Sequence, residues 1–452
     1  MTPPLRMYDL LIRNGTVVAP DGVREADVAV EDGRIVDVAA GLRGGGREEI
    51  DATDLHVFPG VIDAHVHFNE PGRTEWEGFA TGSAGLAAGG GTCFFEMPLN
   101  ASPPTLDGPT FDAKRAAAEA SSLTDFALWG GLTPANVDRL EELADRGVIG
   151  FKAFMSNSGI DEFGAVDDYT LYRGMRVAAE RGLIVALHAE NDAITGGLAR
   201  DSMAAGRTTV DDYLASRPVV AEVEAIRRAI TIATDTKCKL HIVHVSSEEG
   251  SQAAHGGRTD ADVTYETCPH YLWFTEDDVR RIGARAKCAP PIRSAHDRAH
   301  LRFVLGTGEI TFVASDHSPA PASMKTDANF FKVWGGIAGV QSTLAVMLSL
   351  RPPLPLPAVA GYTAGRVAER FGIPAKGSVA VGKDADLTLV SPGDGFTLEP
   401  ADLHDRHKLS PYVGEMFNGV VRRTISRGQT IFLDGKIVGR PMGQLVKPAR
   451  SL

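Results

Sequence analysis

From residue 59 to about residue 370 the chain alternates apolar runs of strand length with stretches whose apolar residues recur every three or four positions. Eight runs read as strands: GVIDAHVHF (60–68), TCFFEMP (92–98), DFALWGGL (125–132), GVIGFKAFM (147–155), LIVALHAE (183–190), LHIVHVSS (240–247), DVTYETCPH (262–270) and FVASDHS (312–318). Between them, PANVDRLEELADRG and VAEVEAIRRAITIATD carry helical spacing. Strand and helix alternating eight times in one layer order predict an α/β fold, a (β/α)8 TIM-like barrel. The alternative is an open doubly wound sheet, weakened because no GxGxxG or P-loop string follows any strand.

The flanks have a different pattern. Residues 8–58 carry short apolar runs broken by turn residues, with Asn14-Gly15 and Asp32-Gly33 as hairpin dipeptides. ADLTLVSPG (385–393) and GVVRRTISRGQTIFLDGKIV (419–438), with a turn at Asp434-Gly435, repeat that grammar at the other end. The expected organisation is 1–58 as the N-terminal part of a small discontinuous β-sandwich, 59–370 as the barrel, and 371–452 as the C-terminal part of the β unit and tail. Two connections interrupt the regular alternation, 191–218 after the fifth strand and 319–334 after the eighth. In a barrel both fall on the rim that carries the active site. The Pro-rich RPPLPLP (351–357) reads as a surface connection.

Parallel barrel strands are expected to be almost wholly apolar. Five of the eight nevertheless carry an ionisable group near the C-terminal end: His65 and His67, Lys152, His188, His244 and Asp316. A closed barrel brings those ends to one rim, so six metal-competent groups meet in one pocket. His65 and His67 are two apart and leave one face of a strand. His241, three residues before His244, is expected on the opposite face in a structural role. Lys152, flanked by Phe151, Ala153 and Phe154, has no room to snorkel, and a buried ammonium is costly unless neutralised or modified. Desolvation lowers its pKa, and the free amine can then take up carbon dioxide as a carbamate, whose two oxygens can bridge two cations. The plainer alternative is an ordinary lysine paired with a carboxylate.

Composition narrows the partners. With 452 residues, 43% hydrophobic and 23% charged, the chain is long enough for a large core plus a small second unit. A net charge of −12 argues against nucleic acid or an anionic membrane as the main partner. MTPPLRMYDL lacks the apolar centre of a signal peptide, and no apolar run is long enough to span a bilayer, so a cytoplasmic protein is expected. Cys93, Cys238, Cys268 and Cys288 lack CxxC spacing and read as reduced thiols.

FPGVIDAHVHFNEPG, GFKAFM, LHAE, HIVHVSS, CPHYL, KCAPPIR and ASDHSP occur in the order seen in cyclic amidohydrolases, the group of dihydroorotases, dihydropyrimidinases or hydantoinases, and allantoinases. EPGRTEWEGF, EMPLN, ASRPVVAEVEAIRRAI, TCPHYLWF, SDHSPAP, WGGIAGVQS and HKLSPYVG resemble the allantoinase branch. The resemblance implies hydrolysis of a cyclic amide at a binuclear site. His65 and His67 would bind the more buried metal and His188 and His244 the more exposed one. Carboxylated Lys152 would bridge them, and Asp316 would complete the buried site and shuttle the proton. Two divalent ions are implied, zinc by ligand type. The partner implied is a small cyclic ureide, and the assembly a homo-oligomer, a tetramer in relatives.

Where dihydroorotases carry an arginine clamp for the substrate carboxylate, this chain has Asn69, which disfavours an anionic substrate. Where hydantoinases place a tyrosine after the bridging lysine, it has Asn157, with Ser156 beside it. Ala289, in KCAPPIR, leaves only a main-chain contact, and Gly335 and Gly336 permit close approach to a ring. Alternatives to an allantoinase are a hydantoinase or dihydropyrimidinase acting on a related ring, and a non-catalytic dihydropyrimidinase-like scaffold.

Overall fold

A computed structural model describes residues 6–449. Eight parallel strands form the barrel: Val61–Val66, Gly91–Glu96, Asp125–Leu128, Phe151–Phe154, Ile184–His188, Lys239–Ile242, Val263–Thr267 and Phe312–Val313. The third strand resumes as Gly130–Gly131 to pair with the fourth, and a parallel bridge between Val66 and His317 joins the last strand to the first. The ring is therefore closed, and the open-sheet alternative falls. Helices such as Asp168–Glu180, Val219–Thr236 and Ala295–Thr307 run between strands. Asp167 and Ser294 cap two of them by accepting the amides of Thr170 and Asp297. Phe371 sits edge-on to Phe95 and Trp129 at ring separations of 5.0 and 5.4 Å, part of the apolar cluster that also holds Ile62, Ala186 and Phe312.

The terminal strands join one nine-stranded hydrogen-bonded network. Leu387–Thr397 of the C-terminal segment pairs antiparallel with His56–Pro59 of the N-terminal one. Leu10, Val28, Ile50, Val57, Leu387 and Ile425 share its core. Asp32-Gly33 and Asp434-Gly435 are turns with positive φ at both residues, as hairpins of this type require. Asn14-Gly15 is not a turn. It lies inside the single strand Met7–Ala19, at a bulge between Ile12 and Gly15, and the hairpin closes instead after Ala19. Asn14 at φ 58° has the backbone of a turn residue, but its amide donates to the Asp27 carboxylate and the strand continues. Arg351, Pro352 and Pro353 of the Pro-rich piece are exposed, and Leu356–Ala360 is helical. No helix among the described residues is long and apolar enough to cross a membrane. All four cysteines are free and buried.

Candidate metal centre and substrate cavity

All six candidate residues lie at the C-terminal ends of their strands or just beyond. His65, Lys152 and His188 are within strands, whereas His67, His244 and Asp316 follow the last strand residue. Asp316 Oδ1 stands 3.2 Å from His65 Nε2 and 3.5 Å from His67 Nε2. One ligand atom from each of the three falls within 4.8 Å of the others. His188 Nδ1 and His244 Nε2 face each other at 3.0 Å, and the His244 ring is 5.5 Å from that of His65. Lys152 Nζ is buried without a hydrogen-bond partner among the described residues, 4.9 Å from the Phe154 ring, which stacks on His188.

Backbone irregularities aim these side chains. The pairing of the first strand with the second shifts register between Asp63 and Val66, around His65. His244 and Asp316 have φ of 42° and 47°, and Asn69 has 66°. Such left-handed conformations cost about 1–3 kcal/mol each and persist only where the surroundings hold them. The turn at His244 also corrects the expectation for His241. Both residues lie inside the barrel, His241 with its ring stacked 4.8 Å from Phe312 and its Nε2 3.1 Å from Glu266.

Glu266 is the first residue that the sequence reading missed. It contacts His65 Nδ1 at 2.6 Å as well as His241. Burial would raise its pKa, but the two imidazoles overcome that and hold it at about 2. Glu190 was missed too. It contacts His188 Nε2 at 2.9 Å, pairs with Arg217, and is likewise held at about 2 against its burial. Each carboxylate occupies one ring nitrogen and leaves the other for the cavity: Nε2 of His65 and Nδ1 of His188. The only signal was position, since Glu190 sits two residues after His188 and Glu266 on a strand otherwise buried.

Burial pushes His67 down to about 4 and His244 well below the usual histidine range, which leaves them neutral, as metal ligands must be. Burial also pushes Lys152 down to about 7, with Glu266 and Asp316 opposing the shift. Asp316 is buried yet held below the usual carboxylate range by His65 and His67. Converging imidazole nitrogens, a carboxylate oxygen and an unpartnered amine are a donor set that suits divalent cations of the zinc type. Asp125, Asp384 and Asp386 form a second acidic group, but the Lys376 ammonium stands 2.8, 3.2 and 2.5 Å from them. It is an ion cluster, and Asp125 begins its strand where the candidate ligands end theirs.

The candidate residues open into a cavity of about 440 Å³, a size suited to a small molecule. Asp192, Tyr213 and Arg217 of the first long connection, Phe331 and Trp334 of the second, and Gly336 just after it contribute to its wall. Asn157, Ala289 and Gly335 also line it. Asn69 and Ser156 are buried outside the lining, each with a side-chain oxygen that has no partner among the described residues.

The closed (β/α)8 barrel carries this constellation on its C-terminal rim, and residues 56–431 match the profile of the amidohydrolase family. The chain belongs to that family. It is 56% identical to an allantoinase of Solibacter usitatus over 98% of this chain and 97% of the relative. It is 55% identical to an allantoinase of Rubrobacter xylanophilus over 98% of both. Among solved structures, the L-hydantoinase (dihydropyrimidinase) of Arthrobacter aurescens superposes with a TM-score of 0.94 at 33% identity, covering 98% of this chain and 100% of that one.

Proposed function

We infer that this chain is an allantoinase, which opens the five-membered ring of allantoin at its cyclic amide to give allantoate in purine degradation. The observation that carries this reading is full-length identity above one half to allantoinases. The hydantoinase reading is favoured only by likeness of fold at 33% identity, which does not discriminate between rings. A non-catalytic scaffold is disfavoured because all six candidate positions carry metal-competent side chains. Assay of the metal-loaded protein on allantoin, hydantoin, dihydrouracil and dihydroorotate tests the choice. Allantoin is expected to be the best substrate, and hydantoin turnover far above that of allantoin would overturn it.

In this reading His65, His67 and Asp316 would hold one divalent ion and His188 and His244 a second, with Nζ-carboxylated Lys152 as a further ligand. Such a pair of ions supplies an activated water and a Lewis acid for the ring carbonyl. The protein does the rest. Asp316 accepts the proton of the attacking water and returns it to the leaving amide nitrogen. Glu266 and Glu190 fix the orientation of His65 and His188. Asn157, the main chain at Ala289 and Gly335 bound the ring, while Asn69 and Ser156 support the wall from behind. A homo-oligomer, with the tetramer of relatives as the expected form, is read out by light scattering.

A further inference from the structure

Two lysines outside the candidate metal set have environments that the reaction as described does not use. The Lys287 ammonium donates to the carbonyls of Phe330, Phe331 and Val333 at 2.6, 3.2 and 2.5 Å. It also lies 4.5 Å from the centre of the Tyr213 ring. The Lys325 ammonium, on a partly exposed stem, donates to Ala284, Trp334 and Gly336 carbonyls at 3.1, 2.8 and 2.7 Å. Neither is paired with a carboxylate among the described residues. Burial of a cation without a counter-ion is unfavourable unless every donor is matched. Here three N–H groups meet three carbonyls twice over, and five of the six acceptors belong to residues 330–336.

That acceptor segment is the cavity wall. Phe331, Trp334, Gly335 and Gly336 line the cavity, and so does Lys287 itself. The segment also contacts the other rim excursion. The Phe330 amide donates to the Thr208 carbonyl at 2.9 Å, and the Phe330 ring packs 5.4 Å from that of Tyr213. The Gly336 amide returns to the Lys287 carbonyl at 2.8 Å, so the lysine holds the segment through both its side chain and its backbone. A shift of one residue in 330–336 would leave an ammonium donor unmatched in an apolar setting, so the cages specify one conformation.

We propose that Lys287 and Lys325 are positioning residues that clasp the segment 330–336 as a strap over the substrate cavity, fixing Trp334, Gly335 and Gly336 where the ring is met. The proposal rests on the reading that this cavity takes a cyclic ureide.

Lys287→Met and Lys325→Met, each loaded with metal, are compared with the wild type. KM for allantoin is expected to rise on the order of tenfold or more in each, as for loss of a charged hydrogen bond, with metal content unchanged and kcat affected less. Hydrogen exchange at the amides of Phe330, Trp334 and Gly336 is expected to be slow in the wild type and to accelerate in both variants. Lys287→Arg, which keeps a cation, is expected to recover part of the KM. Unchanged KM with unchanged exchange in a folded variant overturns the clasp, and so does a fall in melting temperature with KM intact. If Lys287→Met does not fold, Lys325→Met and wild-type exchange still decide, since rapid exchange of those wild-type amides also overturns it. If the metal-loaded wild type fails to open allantoin, the substrate reading falls, whereas the exchange comparison still decides the clasp.

Discussion

Lys152 Nζ is a buried donor with no partner among the described residues. A neutral amine in that place is ready to become a carbamate, and the carbamate would complete the ligand set. Lys152→Ala is expected to lose both metal and turnover, with partial recovery in a short carboxylic acid. Metal content equal to that of the wild type, measured by elemental analysis, would remove the bridge. Glu266 belongs to the same scale. Its contact with His65 Nδ1 at 2.6 Å selects the tautomer of a candidate ligand. Glu266→Gln is expected to weaken metal affinity about 10–100-fold, read by competition with a chelator of known affinity. An unchanged dissociation constant would reduce Glu266 to packing.

At the scale of elements, the strand Met7–Ala19 shows how a local signal can be overruled. Asn14-Gly15 has turn chemistry, but the apolar residues on both sides pair with one continuous partner strand, and the dipeptide becomes a bulge. Gly15 is needed there because a Cβ would stand 2.7 Å from Val57 Cγ2. Gly15→Ala is expected to destabilise the protein by about 1–3 kcal/mol, measured by urea denaturation, and no loss would mean that Val57 yields freely. The barrel strands were legible because parallel strands buried on both faces are near-continuous apolar runs. Their ends were not, since the ladder stops before His67, His244 and Asp316 and the chain turns through left-handed conformations.

At the scale of the molecule, the terminal sheet and the barrel meet at an ionic junction. Lys376 bonds Asp125 of the third barrel strand and Asp386 beside the terminal sheet. Arg427 adds a contact to Asp125, and its amide donates to Asp386 Oδ1 at 2.8 Å. The carboxylates hold Lys376 well above its usual pKa despite burial. Lys376→Met would leave buried carboxylates without their cation. The expected cost is about 3–5 kcal/mol, seen as a lower melting temperature, and a loss below about 1 kcal/mol would mean that water enters and screens the cluster. Removing metal with a chelator is expected to abolish turnover yet preserve the far-ultraviolet circular dichroism, because apolar clusters independent of the metal form the core. Collapse of that spectrum would make the metal part of the fold.

The sequence by itself determined the barrel, the discontinuous terminal strands and the identities of six polar residues at strand ends, because periodicity and burial are properties of short stretches. It did not reveal Glu266, Glu190 or the two clasping lysines, since a buried charged residue has the same letter as a solvated one. Only closure of the ring decided which nitrogen of His65 faces the cavity, and only the bulges and left-handed turns decided where His241 and His244 point. Those are consequences of partners distant in the chain, 201 residues apart for His65 and Glu266, and no local pattern carries them.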